Sequence, residues 1–403
     1  MATPVRSAPS SPAPPATARL AAHVRFWGAA YTAALLLAGT NLPTPLYREY
    51  GRAFGLSPLG ITLVFSTYVA VLIPSLLIAG PLSDAIGRRR VLLPAVGLAA
   101  AGALLFALAA GTPWLLAARV VQGLSMGAAA GPLTAVLVEV EPAGNRRRAA
   151  VVAAVASVGG VGAGPLLAGL LAQLAPEPRV TPFLVEIALL LPAALLVATL
   201  PPMPRTSRWR PRRPEVPAAI RDVFAMSGAG SFLAWAVVGL FLTLVPSYVV
   251  TLTGSRNLAL GGGMAALLLG CSAVAQVAAY GRPPRLVLGT GLPLLAAGLV
   301  MLGAAGATAS LPLLLGATVV GGAGQGLAFL GAMTEISRVA PPERHADVLS
   351  SFYVVTYLGT GTPVIGVGFL AGAVGLLTAV ELFGVAVGLG CLALLGLVLR
   401  ARD

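Results

Sequence analysis

The chain has no lysine, only two histidines and two cysteines, and charged side chains make up just 10% of its 403 residues. Water-soluble domains carry about 25% charged residues, so a solvated surface cannot be assembled from this composition. The cysteines, Cys271 and Cys391, lie inside apolar runs, and His23 and His345 stand far apart. A disulfide framework and a Cys/His metal centre are therefore excluded, and the thiols read as inert core residues. No Gly-x-x-x-x-Gly-Lys loop is present to bind nucleotide phosphates, so no ATP-driven chemistry is expected. Clustered His, Asp, Glu or Cys ligands, which a membrane-embedded enzyme needs, are also missing. The expectation is a protein without cofactor, metal or catalytic centre.

What the sequence has instead is oil: 57% of its residues are hydrophobic, and the mean hydropathy is +0.91. The net charge of +13 would suggest nucleic acid in a soluble chain, but here the arginines fall between apolar runs, and the partner they fit is the bilayer. Runs of spanning length, about 20 residues each, occur near 24–46, 57–80, 90–110, 113–138, 149–173 and 180–200, then near 223–252, 258–280, 286–307, 311–336, 346–372 and 375–399. This predicts an all-α membrane protein with twelve transmembrane helices. The Pro-, Ala- and Ser-rich residues 1–23 read as a disordered tail, and the run that follows is too long for a signal-peptide core. Residues 24–200 and 223–403 form two six-helix halves, joined by a basic linker at 201–222. With both termini inside, 21 of the 26 arginines fall on the cytoplasmic side, among them the triplets 88–90 and 146–148 and five between 205 and 213.

The halves repeat one another. Gln122-Gly123-Leu124 in span four matches Gln325-Gly326-Leu327 in span ten, and the Pro43 region of span one matches the Pro246 region of span seven. The loop at Gly87 to Arg90 corresponds to that at Gly281 to Arg285, and Gly162 to Gly169 correspond to Gly359 to Gly366. Shared order and spacing argue for duplication, against the alternative of general likeness among Ala/Gly/Leu helices.

One loop carries a denser pattern, Gly80-Pro-Leu-Ser-Asp84-Ala-Ile-Gly87-Arg88-Arg89-Arg90 between spans two and three. Gly80 and Gly87 suit close helix approach and a tight reversal, and Asp84 suits a helix N-cap and a charge for arginine. This loop resembles the signature loop of the major facilitator superfamily, although Ala85 stands where the family often has a basic residue. The resemblance covers nearly the whole chain after residue 24. It implies two pseudo-symmetric six-helix bundles that rock about a midplane site. It also implies a charge lock of Asp84 and Arg88 with Glu139 or Glu141 at the end of span four; a purely topological anchor is the alternative.

Arg119 is the one arginine expected inside a span, where a charge costs roughly 2.5 to 3.5 kcal/mol on insertion scales. Arg119-x-x-Gln122-Gly123-x-x-x-Gly127 resembles the family's fourth-helix motif, which is associated with proton coupling. A snorkelling arginine near the outer interface is the alternative. Glu186 and Glu381 lie at similar depths in spans six and twelve. Apolar surroundings favour the neutral acid and make both candidate proton carriers. The family arrangement makes those spans peripheral, which favours structural hydrogen bonding for the two carboxyls.

Gly160, Gly164, Pro165 and Gly169 of span five resemble the glycine and proline signature of the family's antiporters; generic close packing of small residues accounts for the same letters. Asn41 and Tyr47 at the end of span one resemble a first-helix motif of drug exporters or else mark a helix-ending turn. With Gln122, Met126, Tyr248, Gln276, Gln325, Phe329 and Tyr353 they form the candidate cavity lining, which suits amphipathic or weakly polar ligands; ordinary interhelical contact is the other reading. The expected function is proton-coupled efflux of a small organic molecule by a monomer in a bacterial plasma membrane, with no nucleic acid partner. The rivals are a sugar or metabolite importer or uniporter of the same fold and, more remotely, a non-transporting sensor.

Overall fold

The computed structural model describes residues 16–201, 215–255 and 257–400; residues 1–15 of the expected tail, most of the linker with its five arginines between 205 and 213, and Arg256 lie outside the described residues, whereas residues 16–23, expected in the tail, already belong to the first helix. Among those described there are no strands, and twelve helices are long and apolar enough to cross a membrane. Spans one to six are built on Ala16–Asn41, Pro58–Ile86, Arg88–Ala107, Thr112–Glu139, Arg146–Leu174 and Thr181–Ala198. Spans seven to twelve are built on Arg221–Thr243, Leu258–Ala278, Pro284–Thr308, Leu311–Val339, His345–Val374 and Leu376–Arg400.

Local chemistry sets the ends. Ser57, Asn145, Asn257 and Ser310 cap the helices that follow them by accepting from backbone N–H groups three or fewer residues on. Prolines at the first turns of spans two, four, six and ten fit positions whose N–H has no helical partner. Spans one and seven each give way to a short helix, Tyr47–Phe54 and Val245–Thr253, and each of these stops at a left-handed glycine, Gly55 and Gly254. The duplication seen in the sequence is therefore also a duplication of turns.

Packing repeats the same two-fold logic. Span one lies against spans four, five and six, span three against four and six, and span two against four. In the second half, span seven lies against ten, eleven and twelve, span nine against ten and twelve, and span eight against ten. The duplicated Gln-Gly pair explains one of these contacts: a β-carbon on Gly123 would meet the Tyr68 carbonyl of span two at 2.8 Å, and one on Gly326 would strike the Ser272 carbonyl of span eight. Without a hydrophobic driving force between helices in lipid, such close backbone contact and interhelical hydrogen bonds hold a bundle together. Ser125 Oγ to Ala95 O at 2.7 Å and Tyr31 OH to Leu189 O at 2.8 Å serve the first bundle, and the Ser231–Thr356 hydroxyl pair at 2.7 Å serves the second.

Two seams join the bundles, span two with span eleven and span five with span eight. Ser66 Oγ donates to Gly361 O at 3.0 Å, Leu258 N donates to Gln173 Oε1 at 3.0 Å, and Gly262 abuts the Pro165 carbonyl. All of these lie in the helix halves remote from the arginine triplets. The named seam contacts are thus gathered toward one end.

Candidate functional site

Arg119, on span four, is fully buried and faces protein, which rules out the snorkelling alternative. The end of span one supplies most of its partners: Nη1 donates to the Thr40 carbonyl at 2.7 Å and to Gln122 Oε1 at 2.9 Å, while Nη2 donates to the Tyr47 hydroxyl. Gln122 in turn donates from Nε2 to the Gly39 carbonyl at 3.2 Å. The Thr40 carbonyl is available because span one ends at Asn41, where the last carbonyls of a helix lose their helical partners; the Gly39 carbonyl accepts from Leu42 N at 3.3 Å as well as from Gln122. Four rings surround the guanidinium, those of Tyr47, Phe65, Tyr68 and Phe106, with centroids 5.5 to 5.8 Å from Cζ. A desolvated cation gains about 2 kcal/mol from such a face, which offsets part of the burial cost.

Glu186 comes to the same place from span six. It is buried, close enough to interact electrostatically with Arg119, and its carboxylate lies where a β-carbon on Gly39 would be. Arg119 Nε, Glu186 Oε2 and the Tyr50 hydroxyl have no hydrogen-bond partner among the described residues. The structural hydrogen bonding expected for Glu186 is therefore absent at Oε2. Glu381 stands apart on span twelve, beside Tyr248 and Gly306. It has no arginine counterpart, because the repeat position of Arg119 is Gly322, packed against the Leu268 carbonyl.

At the arginine-rich end, Arg88 pairs with Asp84 and donates to Glu139 Oε1 at 3.2 Å and to Ser83 Oγ at 2.6 Å. Of the two acids considered, Glu139 is the partner. Glu141 closes its own loop, accepting from Ala143 N at 2.8 Å and Asn145 N at 2.6 Å and pairing with Arg148 at 3.3 Å. These bonds hold its carboxyl below the usual range: the Asn145 N–H has the largest effect, desolvation opposes it, and Ala143 and Arg148 lower it further. Two expectations for this loop need correction. Gly80 lies near Gly131 of span four but does not need a bare backbone there, since a β-carbon on it would meet nothing within 4 Å; Gly87, at φ 99°, makes the reversal alone. Nor does Asp84 cap span three, because it sits in the last turn of span two, and the helix gap is too short for a side chain to turn back.

The second bundle holds a related pairing that the sequence reading missed. Glu335 on span ten is engaged by Arg285 at 3.6 Å and Arg338 at 2.8 Å. An acidic residue inside an apolar span was the available signal.

The four residues of the span-five motif divide between two partners. Gly160 and Gly164 lie against the Ala34 and Ala38 carbonyls of span one, while Pro165 and Gly169 meet Gly262, Leu258 and Ala259 of span eight. The motif is thus at once a packing face and part of a seam.

The expected cavity lining separates into groups. Asn41 bonds to Leu37 O at 3.1 Å and to Thr40 Oγ1 at 3.0 Å, so it finishes span one. Met126 belongs to the apolar core of the first bundle, and Tyr248 donates to Leu302 O of span nine at 2.8 Å, away from the space between bundles. These two are corrections, with one cause: both side chains emerge on faces packed against neighbours of the same bundle. Gln276 bonds to Ser272 Oγ one turn away at 3.0 Å. Phe329 and Tyr353 remain half-buried in an aromatic group with Trp235, Phe352 and Tyr357, none of which except the first two was anticipated. Tyr357 also packs against the core of the first bundle, so this group lies at the boundary between the halves.

Twelve spans in two equivalent bundles, with seam contacts gathered toward one end, a buried arginine near the start of span four and an aromatic group at the boundary between the halves, define a membrane transporter. A model of the Major Facilitator Superfamily matches residues 29–361, and the chain belongs to that family. Over 99 residues it is 36% identical to the inner membrane transport protein YnfM of Escherichia coli (strain K12); the matched part is 24% of each chain, about a quarter of that relative's length. Among solved structures, it is similar to a POT family transporter in complex with 5-aminolevulinic acid (13% identity, 95% of this chain and 96% of the other, TM-score 0.77). It is likewise similar to a bacterial homolog of the human lysosomal transporter Spinster in an inward-facing, occupied conformation (16%, 94% and 96%, TM-score 0.75) and to the nucleoside transporter NupG (13%, 92% and 99%, TM-score 0.71). At these identities the likeness is one of fold.

Proposed function

We propose that this transporter exports small organic molecules across a bacterial plasma membrane in exchange for protons, with both termini in the cytoplasm. The observation that carries the reading is Glu186 beside Arg119, both buried, each with a polar atom unpartnered among the described residues. A buried ionisable pair inside a membrane is costly and marks a site of function. When Glu186 is ionised, Arg119 stabilises it; when Glu186 takes a proton, the arginine turns fully to Tyr47, Gln122 and the Thr40 carbonyl. Protonation thereby alters how tightly span six is held to spans one and four. The hydroxyls of Tyr47 and Tyr50 lead from this pair toward Arg179 and the outer face.

Alternating access follows from the seams. Glycine contacts at Gly169 and Gly262 allow the bundles to roll at the outer end, and the Asp84–Arg88–Glu139 lock, wholly within the first bundle, stiffens its inner end during that motion. Efflux rather than uptake is supported by the span-five motif, which lies at the seam. The test is accumulation of a panel of dyes and neutral aromatics in inside-out vesicles, with and without a protonophore. Protonophore-sensitive accumulation is expected; indifference to the protonophore removes the proton from the scheme, and equal counterflow in both directions without a gradient favours a uniporter.

A further inference from the structure

In the second bundle two polar side chains each have an atom unpartnered among the described residues, and one of them, Gln325, belongs to the expected cavity lining. Trp235 on span seven is half-buried, and its Nε1 has no hydrogen-bond partner among the described residues. Gln325 on span ten is 2% exposed, and its Oε1 is unpartnered too. The two belong to one place: Phe329 follows Gln325 by one helical turn on the same face, and its ring lies 5.6 Å edge-on from that of Trp235. Tyr357 closes the other side, 6.5 Å from Trp235 and 6.4 Å from Tyr353, and Phe352 backs Phe329 at 6.3 Å.

A buried donor or acceptor left unmade costs about 1 to 3 kcal/mol. One donor and one acceptor, both orphaned within a single aromatic group, are the pattern of a site whose partner is a ligand. Both atoms are buried beside these rings, so a ligand reaches them by sliding between rings and exchanging ring-on-ring contact for its own stacking. That requires a flat molecule. The site is also without charge: Glu335 is taken by Arg285 and Arg338 at the end of span ten, and Glu381 stands beside Tyr248 and Gly306 of span nine.

We propose that Trp235 and Gln325, framed by Phe329 and Tyr357, form a binding site for flat, neutral ring compounds that carry an acceptor and a donor on one edge, as a lactam does. The carbonyl of such a compound accepts from Trp235 Nε1 and its N–H donates to Gln325 Oε1. This rests on the transporter reading and deepens it: the first bundle handles the proton, and the second handles the cargo.

The probe is carbostyril, a flat bicyclic lactam, with naphthalene as the hydrocarbon of matching shape; equilibrium dialysis against the full chain in detergent reads binding with no gradient present. Saturable carbostyril binding is expected, weakened roughly tenfold by Trp235→Phe and by Gln325→Leu separately, as the loss of one buried hydrogen bond implies. Naphthalene binding should be equal in all three proteins. Should Gln325→Leu fail to fold, Trp235→Phe, which keeps an aromatic ring, decides alone. Absence of saturable carbostyril binding to the wild type, or undiminished binding to a folded variant, overturns the proposal. Because dialysis involves no proton gradient, a failure here is distinguishable from a failure of proton coupling in vesicles.

Discussion

The carboxylate of Glu186 occupies the space that a side chain on Gly39 would fill. The Glu186 carboxylate therefore reaches this part of span one only because position 39 has no β-carbon, and the acid is delivered to Arg119 through that gap. The clash in a Gly39→Ala variant falls on the flexible end of a side chain: the new carbon would overlap Oε1 and stand 2.8 Å from Cδ. The fold should absorb it, with a melting temperature close to wild type, while the displaced carboxylate leaves the arginine. Proton-driven flux should fall by about tenfold or more, the scale on which misplaced functional groups act. Gly80→Ala, which meets open space, is the matched control and should transport normally.

Arg119→Lys tests the cradle. Its three hydrogen-bonded partners lie on three helices, span one, the short helix Tyr47–Phe54 and span four itself, and are reached by a planar fork; an ammonium on a single stem cannot serve the Thr40 carbonyl, Gln122 and Tyr47 together. At least one buried group then loses its partner, at about 1 to 3 kcal/mol. Differential scanning fluorimetry should show a lower melting temperature, and coupled flux should be lost even though the positive charge is kept.

The seam between spans five and eight offers a comparison of adjacent residues. A β-carbon on Gly262 would strike the Pro165 carbonyl, 2.8 Å from its carbon, and backbone cannot move aside as a side chain can; one on Gly263 meets nothing within 4 Å. Gly262→Ala should cost roughly 1 to 3 kcal/mol of seam contact and shift the population toward states open at the outer end. An introduced cysteine on the outer part of span eight should then label faster in Gly262→Ala than in wild type or Gly263→Ala.

Much of this was legible before any coordinates. Long apolar runs must cross as helices, because lipid leaves the backbone no other partner, and arginine triplets punctuate them. Arg119 announced itself as a charge among apolar neighbours. The facing of each helix was not legible. A span with lipid on one side and small-residue packing on the other is apolar all round, so no stripe marks which way Glu186, Met126 or Tyr248 turns. Gly39 reads as one glycine among 49 until Glu186 is seen resting on it. The same ambiguity hid Tyr68, Trp235 and Tyr357, whose importance lies in facing one another across helices far apart in sequence.

Outside the membrane, Glu141 makes a prediction about acid. Its carboxyl titrates below the ordinary carboxylate range of about 4.3 because folded-state N–H groups and Arg148 hold the ionised form. Its contribution to stability is therefore complete above that ordinary value and disappears as pH falls through the depressed one. Glu141→Gln should melt below wild type at pH 7, and the difference should narrow as the pH is taken below about 4. A gap that stays constant with pH would mean that the charge of Glu141 plays no part in closing the loop.

The most direct measurement reconstitutes wild type and Glu186→Gln in liposomes and follows efflux of the same dye and aromatic panel under an imposed pH gradient. Gradient-driven transport is expected in the wild type alone, with Glu186→Gln retaining only exchange that ignores the gradient. A Glu186→Gln protein that still concentrates cargo against its gradient in response to protons would contradict the account.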